Sequence, residues 1–111
     1  MSDCVFCNIV AGKLPAQKVY EDDQLLAFPS IDPKAETHLL VIPKQHIENL
    51  NALTAEHAEL MAHLMLTLPD IAAANGLTGY RIITNTGKES GQEVFHMHFH
   101  ILGGATLPGF N

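Results

Sequence analysis

The sequence predicts an α+β domain with a mainly antiparallel five-stranded sheet, one long helix and a short N-terminal helix. Three observations support this class: one long amphipathic pattern in the middle of the chain, several short apolar runs bounded by turn residues, and hairpin-type connections between them. At 111 residues, the chain fits a single domain over residues 1–111.

The first half of the chain is predicted to form a helix and three strands. The segment "DCVFCNIVAGKLPA" is typical of a short helix with Asp3 at its N-cap, since a glycine and a proline follow the apolar positions. The segment "KVYEDDQLLAF" predicts two strands that turn around residues 21–24. After the loop "SIDPKAET", the segment "HLLVIP" predicts a buried strand that ends at Pro43.

The second half is predicted to form the long helix and two more strands. Thr54 would cap the helix and Gly76 would end it. Pro69 removes one backbone donor, so we expect it to kink or divide the helix near Met65 to Leu68. The strands "YRIITN" and "VFHMHFHIL" then flank the glycine-containing loop "NTGKESGQE".

Composition excludes several classes of protein. Apolar residues make up 47% of the chain and charged residues 16%, which indicates a globular and not a disordered protein. The net charge of −6 argues against a broad surface for nucleic acid, although a small phosphorylated ligand needs only a few local donors. We find no membrane-spanning run and no basic leader, and therefore expect no membrane partner and a cytoplasmic location. Cys4 and Cys7 are expected to be reduced thiols.

Three histidines, His96, His98 and His100, alternate with apolar residues in the last predicted strand. Side chains at alternate positions share a face, so the three imidazoles should project together while the apolar residues face the core. Such a face could be merely polar, could bind a catalytic metal, or could hold a nucleophilic imidazole beside phosphate-binding neighbours. The preceding loop, with Gly87 and Gly91, can offer amides to phosphate oxygens, and this favours the nucleophile.

Together these motifs resemble the histidine triad (HIT) family, whose signature is H-x-H-x-H followed by apolar residues. The segments "CVFCNIVAGKLPAQKVYEDDQLLAF", "THLLVIPKQHI" and "NTGKESGQEVFHMHFHILGG" resemble its N-terminal, central and signature regions. The pair Gly103 and Gly104 is more similar to the nucleotide-binding phosphoramidase branch than to the dinucleoside polyphosphate hydrolases. The resemblance implies a HIT-like fold and a homodimer.

The resemblance implies a covalent mechanism on a purine nucleoside phosphoramidate or a related nucleotide conjugate. His98 would attack the α-phosphorus, and water would then release the nucleoside monophosphate. His100 would contact the phosphate and assist the leaving group, while His96 would help to set the geometry of the nucleophile. His38 matches a fourth histidine beside the triad; from the residues alone it reads as a core histidine at a strand start.

The resemblance also implies a purine pocket with polar groups at the ribose and phosphate. The nucleotide-binding residues it implies are Val5, Phe6, Ile9, Phe28, Ser30, Ile31, Asn85, Gly91, Gln92 and Glu93. Ser30 stands where the family usually has an acid that holds the ribose, a role that Asp32 could take over. Glu93 stands where well-known members have serine, and it could recognise or protonate an amine-bearing group, or point to solvent.

The spacing of Cys4 and Cys7 puts both sulfurs on one face of a helical turn, which is a common half-site for zinc. The resemblance implies that His46 and His96 complete a structural Cys₂His₂ zinc site that joins the N-terminal helix to the sheet. The alternative is a pair of thiols without a metal. No cofactor is expected to be required for the chemistry itself.

Other functions remain open at this point. The chain could hydrolyse dinucleoside polyphosphates, could be a nucleotide-binding or interaction module with little turnover, or could carry a catalytic metal on the three histidines. Support for a dimer from the sequence itself is limited to Met61 and Met65, which extend the apolar stripe of the long helix. His57 and His63 read as ordinary surface residues of that helix.

Overall fold

The computed structural model describes residues 3–104 and 107–109 and confirms the predicted α+β class. Five strands form one antiparallel sheet in the order β1-β2-β3-β5-β4. The strands are β1 (Tyr20–Glu21), β2 (Leu25–Pro29), β3 (Thr37–Pro43), β4 (Tyr80–Ile83) and β5 (Phe99–Gly103), and the helices are α1 (Val5–Val10) and α2 (Ala58–Ala74). Among the described residues, no helix is long and apolar enough to cross a bilayer.

The sheet carries one hydrophobic cluster on each face. Leu39 and Val41 of β3 pack in the cluster that contains the buried side of α2. Leu40 and Ile42 alternate with them and pack in the cluster that contains Phe6 of α1. The central strand is therefore buried on both faces, and the two helices lie on opposite sides of the sheet.

Of the two predicted effects of Pro69, a kink or a division, the division is wrong, because α2 runs without interruption through this residue. The proline deprives the carbonyl of Met65 of its donor, but Met65 is 45% exposed, so water can satisfy that carbonyl. Thr54 caps a short 3₁₀ turn, Ala55–His57, which leads directly into α2, and does not cap the α-helix itself. Gly76 adopts φ +79° just beyond the helix, as predicted for its C-terminus.

Two predicted boundaries need correction. The N-cap of α1 is Cys4 and not Asp3, because the Cys4 sulfur accepts the Cys7 N–H at 3.3 Å. The last strand begins at Phe99, so two of the three histidines precede it. The segment just before β5 forms a hydrogen bond beyond the end of β3. There the N–H of Met97 donates to the main-chain oxygen of Ile47 at 2.6 Å.

Candidate active site

A groove of about 1040 Å³ lies on the α1 side of the sheet. Its walls include all of the sequence-predicted nucleotide-binding residues except Gln92, together with His38, His98 and His100. Apolar walls come from α1 and β2. The polar walls come from the loop that precedes the triad and from the loop that follows β2. The groove therefore joins an apolar pocket to a cluster of imidazoles.

The aromatic rings along the groove form a row. The ring of Phe6 meets that of His98 edge-to-face with centroids 5.2 Å apart, and His98 lies 5.0 Å from His100. His100 in turn lies 5.1 Å from His38. This row gives the groove a direction, from the apolar pocket at Phe6 to the polar end at His38. His96 and His98 both contact Phe6, so the predicted common face of the triad is confirmed although only His100 lies within β5.

The proton of His100 is placed by a chain of donors. The backbone N–H of Lys34 donates to Nδ1 of His38 at 3.0 Å, so the proton of the neutral His38 ring is on Nε2. That Nε2–H donates to Nδ1 of His100 at 2.8 Å, which leaves the His100 proton on its own Nε2. Burial, and secondarily the charge of Lys34, lowers the pKa of His38. Burial, and then His98 and His38, lowers the pKa of His100 to about 4. Both rings are therefore neutral at pH 7.

His98 has the opposite arrangement. Its Nδ1 lies 2.8 Å from the main-chain oxygen of His96, and because a carbonyl only accepts, Nδ1 must carry the proton. The lone pair of the neutral ring is then on Nε2. The hydroxyl of Thr84 donates to the oxygen of His98 at 2.8 Å and holds this part of the backbone. A ring nitrogen with a lone pair thus lies beside a ring that presents an N–H donor.

His96 is fully buried and belongs to a second cluster. Its Nε2–H donates to the oxygen of Pro43 at 2.8 Å, so the lone pair on Nδ1 lies toward the sulfurs of Cys4 and Cys7, at 3.3 and 3.5 Å. Nδ1 of His46 lies 3.2 Å from the Cys7 sulfur. The four donor atoms lie within 4.8 Å of one another.

These four residues, the Cys/His cluster, could hold a metal ion. The two sulfurs are not joined in a disulfide. Two thiols and two imidazoles are the donor set of many structural zinc sites, and the Pro43 contact is the kind of second contact that fixes a ligating histidine. The ligand set therefore fits the metal that the sequence predicts.

The side chain of Gln92 does not line the groove but anchors the loop of residues 87–94, the triad loop. It is 3% exposed, and it uses its full hydrogen-bonding capacity. Its oxygen accepts from Asn49 Nδ2 at 3.0 Å and from the N–H of Gly87 at 2.9 Å. Its nitrogen donates to the oxygens of Glu48 at 2.8 Å and Val94 at 3.1 Å. Gln92 thus ties both ends of the triad loop to the segment that follows β3.

Ser30 and Asp32 both line the groove at the end of β2. The hydroxyl of Ser30 accepts the N–H of Asp32 at 3.2 Å. The carboxylate of Asp32 pairs with Lys34 at 2.7 Å, which lowers its pKa. Ile31, between them, is fully exposed at the rim. Ser30 and Asp32 are therefore adjacent, as a shared contact to a sugar would require.

Sequence reasoning missed several polar contacts away from the groove. His63 is not an ordinary surface residue, because its Nε2 lies 2.7 Å from a carboxylate oxygen of Asp22 and so joins α2 to the turn between β1 and β2. Tyr20 donates to the same oxygen at 2.6 Å. His57 accepts the N–H of Thr54 in the capping turn. His63 and Asp22 are 41 positions apart in the sequence, so spacing carries no signal of their contact.

Comparisons with known proteins place this site in context. A family model described as "Scavenger mRNA decapping enzyme C-term binding" matches residues 3–110. Protein HitA of Neisseria gonorrhoeae is 50% identical over 104 residues, which are 93% of this chain and 97% of HitA. An uncharacterized HIT-like protein of Synechococcus elongatus is 53% identical over 106 residues, 95% of this chain and 93% of that protein.

Solved structures agree with these relatives. A HIT family hydrolase from Legionella pneumophila superposes with a TM-score of 0.91 at 44% identity, covering 94% of this chain and 95% of that one. A histidine triad protein from Clostridium difficile gives a TM-score of 0.93 at 42% identity, covering 100% and 98%.

Proposed function

The chain belongs to the histidine triad (HIT) family, and on that premise we propose that it is a nucleotidyl hydrolase of the phosphoramidase type. Its substrates are purine nucleoside phosphoramidates or related nucleotide conjugates, and its product is the nucleoside monophosphate. The observation that carries this proposal is the hydrogen bond from Nδ1 of His98 to the oxygen of His96, because it leaves a lone pair on the second nitrogen of a groove-lining imidazole.

The reaction has two displacements at phosphorus. In the first, Nε2 of His98 forms a bond to the α-phosphorus, the bond from phosphorus to the leaving amine breaks, and the amine takes a proton. That proton comes from solvent, and the Nε2–H of the neutral His100 ring stabilises the departing nitrogen by a hydrogen bond. In the second, water attacks the phosphorus, the bond to His98 breaks, and the proton of the water is released to solvent. The oxygen of His96 stabilises the positive charge on the nucleotidylated His98 ring.

The remaining walls supply binding and orientation. The apolar pocket of Phe6, Ile9 and Phe28 suits the flat face of a purine. Asn85 and the backbone near Gly91 bind the phosphate, and the adjacent Ser30 and Asp32 bind the ribose. His38 acts through His100 and is a positioning residue.

The Cys/His cluster holds a structural zinc ion in this proposal. Its ligands come from the start of α1, the segment after β3 and the segment before β5, so the ion fixes α1 against the sheet. The chemistry at phosphorus needs no metal. Thiols that remain reduced fit a cytoplasmic location.

Two copies of the chain are proposed to pair as a homodimer. Leu66 and Met65 on α2 are 75% and 45% exposed, and β4 is an edge strand whose Tyr80 and Ile83 are partly exposed. An open edge and exposed apolar side chains are surfaces that a second copy can cover.

The function is tested with adenosine 5′-phosphoramidate. The wild-type protein should release AMP, and intact-protein mass spectrometry after rapid quenching should detect an adenylylated species that maps to His98. The His98→Ala variant should lose both while still binding AMP, and His57→Ala, a histidine outside the groove, should keep both. Undiminished turnover by His98→Ala would refute the nucleophile assignment.

The same assay separates the other functions. No turnover and no adduct with the wild type would indicate a binding module. A higher kcat/KM for diadenosine tetraphosphate than for the phosphoramidate would indicate a dinucleoside polyphosphate hydrolase. Loss of turnover on chelation in a protein that remains folded would indicate a catalytic metal.

A further inference from the structure

We propose that Glu93 selects substrates whose leaving group carries a positive charge, so that the preferred substrates are nucleotide conjugates of diamines and similar cationic amines. This inference rests on the proposed function and names the substrate class within it. It concerns the part of the groove that remains once the purine, ribose and phosphate are placed.

Glu93 is held in a defined place on the groove wall. It follows Gly91, which adopts a φ of +103°, a backbone conformation that favours glycine. It also follows Gln92, whose four hydrogen bonds fix both ends of the triad loop. Glu93 itself is exposed and lines the groove together with His98 and His100. The carboxylate is therefore presented by an anchored segment and not by a freely moving one.

Among the described residues, no cation forms an ion pair with the Glu93 carboxylate. Apart from histidines, the described charged residues that line the groove are Asp32, Lys34 and Glu93, and the first two pair with each other at 2.7 Å. Within residues 3–104 and 107–109, no hydrogen bond or ion pair is formed by the Glu93 side chain. One net negative charge therefore remains on a wall that faces the proposed phosphate site.

The row of rings indicates which end of the groove this charge occupies. Phe6 marks the purine end, and beyond His98 come His100, His38 and the backbone of Lys34. Glu93 and Lys34 both line the groove, and Asp32 chiefly raises the pKa of Lys34 while Glu93 adds to that effect, so the Glu93 carboxylate lies toward the Lys34 end. The hydrogen-bond donor to the leaving group, the Nε2–H of His100, is on the same side of His98.

An unbalanced carboxylate in a phosphate-binding groove weakens the binding of an anionic substrate unless the substrate brings its own cation. An ammonium group on the leaving amine supplies that cation and lies between the phosphate and Glu93. The groove volume of about 1040 Å³ is at the upper end of the range of roughly 300–1,000 Å³ for small-molecule pockets, so a leaving group also has room.

The test uses three adenosine 5′-phosphoramidates that differ only in the end of the amine: propylamine, 1,3-diaminopropane and β-alanine. The wild-type kcat/KM should be about two- to fivefold higher for the diamine than for propylamine, the size of effect that an exposed ion pair gives, and lowest for β-alanine. Added salt at roughly 0.5 M should reduce the preference, because it screens exposed charges.

Substitutions then assign the preference to one residue. Glu93→Gln should bring the diamine-to-propylamine ratio near one, by lowering kcat/KM for the diamine substrate relative to that for propylamine, and Glu93→Lys should favour β-alanine. Glu89→Gln removes an exposed acid of the same loop that does not line the groove, and it should keep the wild-type ratio.

The outcomes separate this inference from the function on which it rests. Equal ratios in the wild type and Glu93→Gln would overturn the role of Glu93 while AMP release still supports the hydrolase. If Glu89→Gln changed the diamine-to-propylamine ratio as much as Glu93→Gln does, the preference would come from the net charge of the protein. That result would also overturn the role of Glu93. If none of the three probes releases AMP, the proposed function itself fails.

Discussion

The Nδ1 atom of His98 donates to the main-chain oxygen of His96 across 2.8 Å, and this bond makes two chemically identical side chains different. The Nε2–H of His96 donates a hydrogen bond to the main-chain oxygen of Pro43, so the lone pair on Nδ1 lies toward two sulfurs. His98 therefore has its lone pair on Nε2 and His96 has it on Nδ1. Main-chain acceptors, and not residue type, make the imidazoles of His96 and His98 different.

His96 also connects two sites. Its imidazole belongs to the Cys/His cluster, and its carbonyl orients the proposed nucleophile. A change in the cluster that moves the His96 backbone would therefore change the orientation of the His98 ring.

His38 should matter for turnover although it does not touch the phosphorus. In His38→Phe, Nδ1 of His100 loses its donor, so the His100 proton is no longer confined to Nε2. We expect kcat for adenosine 5′-phosphoramidate to fall by about tenfold or more with a smaller change in KM, since one positioned hydrogen-bond donor to the transition state contributes roughly 10²–10³. His38→Gln, whose amide can still donate, should recover part of the loss in the same steady-state assay. Wild-type kcat in His38→Phe would contradict the donor chain.

The Cys/His cluster predicts a stability that depends on metal. The purified protein should contain about one zinc per chain by elemental analysis, and chelation or Cys7→Ser should remove it. Loss of the ion frees α1, so we expect the melting temperature to fall by about 5–10 °C, since roughly 1 kcal/mol corresponds to about 4–8 °C for a domain near this size. Glu89→Gln, which changes an exposed acid outside the cluster, should retain both zinc and melting temperature. An unchanged melting curve for the metal-free protein would show that the cluster does not stabilise the fold through a metal ion.

The neutral state of His100 predicts a loss of stability in acid. Its pKa is about 4 in the folded protein against 6.5 unfolded, so between these values the unfolded chain binds more protons. The free energy of unfolding should therefore hold above pH 6.5 and decrease as the pH falls toward 4. The His100→Asn variant lacks this group, and its stability measured by urea unfolding should decline less steeply over that window. Parallel slopes for the two proteins would contradict the assignment.

Gln92 should be a determinant of stability and of the site together. Gln92→Glu replaces the amide that donates to Glu48 and Val94 and places a charge in a buried position. Unsatisfied buried groups of this kind cost about 1–3 kcal/mol each, so we expect a loss of about 2–4 kcal/mol in urea unfolding. AMP affinity, measured by calorimetry below the unfolding transition, should weaken because the triad loop loses its anchor. Glu89→Gln in the same loop should change neither quantity.

The sequence predicts those features that depend on local pattern. Alternation with Met97 and Phe99 predicts the shared face of the triad, and that face holds even though the strand begins only at Phe99. Partners distant in sequence decide the rest. The His98 and His100 tautomers depend on a carbonyl and on the Lys34 N–H, neither of which has a side-chain signature.

Two further differences have the same origin. Gln92 belongs to a polar, glycine-containing segment that reads as exposed, yet its amide is buried because the segment after β3 provides its partners. Pro69 lies inside α2, although a proline lacks the N–H that a helix interior requires. The carbonyl of Met65 loses its donor, but Met65 is exposed, so water can satisfy that carbonyl. In both cases burial decides the outcome, and burial is a property of the assembled fold.

The exposed apolar side chains of α2 predict a dimer that a single charge can dissociate. Leu66 is 75% exposed in the single chain, so Leu66→Glu should cost little in the folding of one chain, within about 0.5 kcal/mol. A charge placed in a covered interface should instead prevent association, because it would be desolvated without a partner. Light scattering after gel filtration should give twice the chain mass for the wild type and the chain mass for Leu66→Glu. Leu50→Glu, which charges another exposed leucine (42%) outside α2 and β4, should remain dimeric. A monomeric wild type, or dissociation by both substitutions alike, would exclude α2 as the specific interface.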